Sequence, residues 1–116
     1  MYRLPRDIKN GATVELARVG TPRDKSRAGA DDRITDGAVS PDGTWVALRT
    51  NHDLRWYRAA DLLSGNWREA SRVDLTALGE PQGEGVTFAD NETLYLVGEG
   101  GGKSQPGTLA QLTCSF

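Results

Sequence analysis

The sequence predicts an all-β chain of short antiparallel strands, and three observations carry that expectation. Apolar and polar residues alternate over short runs, the pattern of half-buried strands. Glycine supplies 14 of 116 residues, about 12% against roughly 7% in average usage, and lies between those runs as turns require. Most telling, one stretch repeats: residues 35–50 (TDGAVSPDGTWVALRT) align without a gap on residues 83–98 (GEGVTFADNETLYLVG), at an offset of 48.

The repeat carries matched features. An acid recurs at Asp36 and Glu84, glycine at Gly37 and Gly85, and aspartate at Asp42 and Asp90. Gly43 and Asn91, both tolerant of positive φ, follow the aspartates. Val46 and Leu94, then Leu48 and Leu96, supply equivalent apolar positions. A weaker echo relates EASRV at 69–73 to ELARV at 15–19.

Taken in chain order, strands are expected at 2–4 and 13–19, followed by a flexible loop at 21–33 with no apolar residue larger than alanine before Arg33. The strand 37–40 then runs into Pro41-Asp42-Gly43, where proline fixes φ, aspartate bonds its own backbone and glycine accepts positive φ. Strands follow at 45–50 and 54–58, joined by Asn51-His52-Asp53. A loop through Ser64-Gly65-Asn66 leads to an outer strand at 68–75. The second copy supplies strands at 86–88, 93–97 and 108–113.

Four antiparallel strands in about 45 residues are the size of one β-propeller blade. The expected organisation is therefore one partial propeller unit over 1–116: the end of a blade at 1–20, a complete blade at 34–76, and an incomplete blade at 82–116. An ordinary sandwich or meander is the competing architecture.

Ser40-Pro41-Asp42-Gly43 resembles the SPDG motif of TolB-like and WD40-like propellers. Together, DGAVSPDGTWVALRT and EPQGEGVTF resemble uncharacterised propeller proteins of actinobacteria, many of them secreted. The likeness spans 35–100. Gln82-Gly83-Glu84 is similar to a Q-x-E-G segment of esterase-like phytase propellers. Such proteins have six to eight blades, and this chain departs from them in holding about two. The resemblance implies that further blades come from a longer chain or from a homo-oligomer. Three copies would close a ring of about six, with 13–19 of one copy completing the sheet left open at 108–113 of the next.

A net charge of −2, with acidic and basic residues interspersed, provides no field for a polyanion, so nucleic acid is not an expected partner. One histidine and one cysteine cannot build a Cys/His zinc site. No apolar run approaches membrane-spanning length, and MYRLPRDIKNG lacks the apolar centre of a secretory signal. Membrane partners are not expected, and the compartment is open: secretion follows only for a fragment of the resembled family. GEGGGKS at 98–104 falls short of a phosphate-binding loop. Its glycines are one residue too close, and Gln105-Pro106-Gly107 stands where a helix must begin. His52 has no G-x-S-x-G elbow beside it and reads as a turn residue.

Propeller topology would bring Asp36, Gln82, Glu84 and Glu99 to one face, with Arg49 and His52 near them. Converging carboxylates at Asp36 and Glu84 suit a hard cation such as Ca²⁺, or acid/base work. The competing role is structural, the two acids accepting backbone N–H bonds between blades. The expected function is a non-enzymatic module binding a ligand or protein without a cofactor. The alternative is part of a Ca-assisted esterase- or phosphatase-like propeller.

Overall fold

A computed structural model describes residues 1–20 and 33–115. The chain is all-β, with three antiparallel sheets and few helical turns. The first sheet is a two-residue ladder of β1 (Tyr2–Arg3) and β2 (Ala17–Arg18). The second has four strands in chain order: β3 (Asp36–Val39), β4 (Trp45–Arg49), β5 (Asp53–Arg58) and β6 (Ser71–Asp74). The third has three: β7 (Gln82–Phe88), β8 (Thr93–Glu99) and β9 (Thr108–Thr113). Among the described residues the sheets do not close into a ring. The loop expected at 21–33 lies, apart from Arg33, outside the described residues.

Turn chemistry positions the strands. Asp42 Oδ1 accepts the Ser40 hydroxyl at 2.6 Å and the Thr44 N–H at 2.9 Å, while Gly43 takes φ 72°. The Ser40 oxygen in turn accepts the Trp45 N–H at 2.9 Å, which starts β4. In the second copy Asp90 Oδ1 accepts the N–H groups of Glu92 and Thr93 at 2.8 and 2.7 Å, which starts β8. The repeated aspartates thus do the same work. Asn91 does not take the positive φ expected of it, since only glycines do among the described residues. Its side-chain oxygen instead accepts the Asp42 N–H at 3.1 Å and ties one turn to the other.

One helix interrupts the expected strand pattern. Residues Ala59–Ser64 form α1 where a loop was expected, because Ala-Ala-Asp-Leu-Leu favours a helical turn and Leu62 is buried by it. Gly65, at φ 86°, donates to Leu62, and Asn66 donates to Asp61 at 2.9 Å, the paired bonds of a Schellman cap.

The four- and three-stranded sheets face each other across one core. Ala47, Leu54, Trp56 and Leu75 pack there against Val86, Leu94 and Leu96. Trp56 meets Phe88 edge to face, with centroids 5.9 Å apart. Burying each leucine contributes roughly 1.5–3 kcal/mol. Val46 and Leu48, expected as the equivalents of Leu94 and Leu96, lie on the far face of their sheet and are half-buried. Strand alternation sends Ala47 and Arg49 inward in their place.

The repeat is also not gapless in space. Gly37 pairs with Leu48, but Val86, not the aligned Gly85, pairs with Leu96. Residues 89–92 join β7 to β8, one residue fewer than the 40–44 that join β3 to β4. The register slips accordingly and is restored between Gly83 and Gly85, where Glu84 is the unpaired residue of a β-bulge.

Candidate ligand-binding site

The expected site residues gather at one end of the two sheets, where β3 and β7 begin and β4 and β8 end. Asp36 pairs directly opposite Arg49. Its Oδ2 accepts the Val86 N–H at 2.8 Å, reaching from the four-stranded sheet to the three-stranded one. This is the structural role of an inter-sheet acceptor.

Arg49 is fully buried and crosses the same gap. One terminal nitrogen donates to the carbonyls of Gly85 at 2.6 Å and Val97 at 2.9 Å. The other pairs with Glu80, whose side chain is only 2% exposed. The second Glu80 oxygen accepts the Thr108 hydroxyl, so a buried chain runs from β4 through Glu80 to β9.

Glycines make room for it. A Cβ on Gly83 would lie 2.8 Å from an Arg49 nitrogen, and one on Gly98 would lie 2.5 Å from Glu80 Oε1 and Thr108 Oγ1. Sequence reasoning chose Arg49 but missed Glu80. The available signal was Gly83 facing Gly98 beside an otherwise unexplained acid, since paired glycines leave space for a large group.

Gln82 and Glu99 pair across β7 and β8 at the rim, both exposed. Glu84 is half-buried on its bulge. It is not the structural counterpart of Asp36: that place, opposite the residue aligned with Arg49, belongs to Gly85. The shorter β7–β8 turn caused the displacement. His52 is exposed in the β4–β5 turn, where its carbonyl accepts the Leu75 N–H at 2.8 Å. It stands near Asp74, whose carboxyl is held below its ordinary range by the Thr76 hydroxyl and N–H, and to a lesser degree by His52. Asp36, Arg49 and the 83–86 backbone therefore converge, Gln82 and Glu99 form a second pair, and His52 belongs to the turn beside β6.

The cation-binding and phosphate-binding ideas each meet specific geometry. Asp36 already spends one oxygen on Val86, and among the described residues no three His, Cys, Asp or Glu side chains cluster as a metal centre. GEGGGKS forms a tight loop with a single 3-10 turn at Gly102–Ser104, so no helix N-terminus faces it. A Cβ on Gly100 would sit 2.4 Å from the Gln105 carbonyl oxygen, so close packing accounts for that glycine, whereas Gly102 has open space and takes φ 79°.

A separate cleft of about 410 Å³ opens at the opposite end of the sheets. Trp45, Trp56, Val73 and Leu112 line it, with Arg58 stacked 3.8 Å over the Trp45 ring. Cys114 also borders it, and burial pushes its thiol above the ordinary value, away from the reactive thiolate. The apolar wall is the outward continuation of the inter-sheet core.

No protein-family model, curated protein or solved structure matches the chain.

Proposed function

We propose that the chain is a two-blade β-propeller module that binds a partner or ligand through the sheet end carrying Gln82, Glu84 and Glu99. One observation carries this reading. Asp36, Arg49 and Glu80 are committed to bonds between the sheets, while the neighbouring Gln82–Glu99 pair is left facing solvent. A base cross-linked between the sheets beneath an exposed amide and carboxylate suits recognition, because little ordering remains to be done on binding. Support for blades comes from two repeated, sequentially ordered antiparallel sheets with equivalent Asp42 and Asp90 turns. The two carboxylates favour a cationic group on the ligand.

The test is a titration of the ¹⁵N-labelled chain with a tri-lysine peptide and, separately, with CaCl₂, followed by amide spectra. Saturable shifts confined to residues 80–86 and 97–100, lost in Glu99→Gln, are expected with the peptide. Shifts centred on Trp45, Arg58 and Cys114 would move the site to the cleft. Ester or phosphate-ester turnover that requires Ca²⁺ and vanishes in Glu84→Gln would replace binding with the hydrolase reading.

A further inference from the structure

The two large sheets stack in the same orientation, like two cards dealt the same way up. The core face of the four-stranded sheet carries Trp45, Ala47 and Arg49 on β4. At the repeat offset these correspond to Thr93, Tyr95 and Val97 on β8, which form the outward face of the three-stranded sheet. Conversely, Leu94 and Leu96, which meet the first sheet, correspond to Val46 and Leu48 on its far face. The internal interface is therefore head-to-tail, and it leaves one head open and one tail open along β3 and β4, the β5 side of that tail being covered at Arg55 and Tyr57.

Both faces carry exposed apolar residues at several of the positions the internal interface uses, although Gln111 stands at the place of Trp56 and Gly37 at that of Val86. On the head, Val97 pairs directly opposite Leu109, and the two are 48% and 73% exposed. Tyr95 stands beside them at 38%. On the tail, Val39 pairs with Val46 and is 57% exposed, with half-buried Leu48 in the next row. A contiguous exposed apolar patch on a sheet marks an interaction surface. The occupant is specified here by the chain itself, because the same positions of the same repeat already pack against one another inside it.

We propose that a second copy of this chain docks the far face of its four-stranded sheet, at Val39, Val46 and Leu48, onto Tyr95, Val97 and Leu109. The contact is heterologous, each copy using a different surface, so successive copies form a ring if the rotation closes and an open series if it does not. This inference rests on strand register and exposure alone and stands apart from the ligand site proposed above.

Sedimentation of the full chain tests it. The wild type is expected to sediment above monomer mass at about 100 μM, within the range of weak specific contacts. Leu109→Lys blocks the head and Val39→Lys blocks the tail, and each variant alone is expected to be a monomer. Mixed together they are expected to form a one-to-one dimer and nothing larger, since the mixture retains one intact head and one intact tail. Circular dichroism of each variant verifies the folded sheets. A wild type that remains monomeric at that concentration overturns the proposal. So does a mixture of folded variants that stays monomeric while the wild type associates.

Discussion

Arg49 and Glu80 form a buried ion pair between the two large sheets, their side chains 0% and 2% exposed. Around it, the carbonyls of Gly85 and Val97 accept from the guanidinium and the hydroxyl of Thr108 donates to Glu80, while Arg49 Nε is buried without a hydrogen-bond partner among the described residues. Removing one partner of such a pair strands a charge away from water. Arg49→Ala is expected to cost about 3–5 kcal/mol. Glu80→Gln is expected to destabilise as well, by leaving the guanidinium uncompensated. The double change Arg49→Met with Glu80→Leu should recover much of the loss. Urea melts of the four proteins check this, and a double variant no better than Arg49→Ala would refute the ion-pair account.

Gly43 lies at φ 72° with nothing within 4 Å of where its Cβ would be. Any penalty for a side chain there is therefore backbone strain, uncomplicated by a clash. Gly43→Val is expected to cost about 1–2 kcal/mol. Thr44→Ala, one residue on, should stay within about 0.5 kcal/mol of wild type. Equal melting temperatures for the two variants would disprove the turn assignment.

Leu96 is buried between the sheets, whereas Leu48, its sequence equivalent, is half-buried on the far face. Leu96→Ala is expected to cost about 2–5 kcal/mol, and Leu48→Ala about 1 kcal/mol in the monomer. Chemical denaturation at low protein concentration, below association, separates them. Equal costs would mean that the far face is covered in the monomer.

The turn aspartates make stability depend on acid. Asp42 is held below its ordinary value of 3.8 by the Ser40 hydroxyl and then the Thr44 N–H. Asp90 is lowered by the N–H groups of Glu92 and Thr93. A folded value below the unfolded one stabilises the fold above the ordinary value, and the gain disappears as pH falls through the folded value. The melting temperature should therefore decline from about pH 4 downward. Replacing both residues by asparagine should make that decline shallower, because neither position then titrates and, among the described residues, only the likewise lowered Asp74 turn remains. Parallel pH profiles for the variant and wild type would show that the acid sensitivity lies elsewhere.

Strand positions were legible because alternation and turn chemistry are local. The Pro41-Asp42-Gly43 turn and β9 at Thr108–Thr113 lie where sequence reasoning put them. Helix α1 was not legible, since six residues between two strands are too short for a helical period to stand out. The facing of β4 was misread for a different reason. Val46 and Leu48 look like core residues because they are apolar, yet the inner face is set by Ala47 and by a buried arginine. At the candidate site, Asp36 was legible as an acceptor between sheets. Glu80 was not, because its partners Arg49 and Thr108 lie 31 and 28 residues away and meet it only after both sheets form.

The bulge at Glu84 works as a length buffer. A residue dropped from the turn at one end of β7 is given back at the other, so the strand's beginning stays in register, with Gly83 opposite Gly98 and Gln82 opposite Glu99. Turn length in such a repeat is thereby uncoupled from the geometry of the sheet end. Variation at 89–92 can accumulate without disturbing the rim, provided the strand keeps one small, permissive site such as the Gly83-Glu84-Gly85 segment to absorb it.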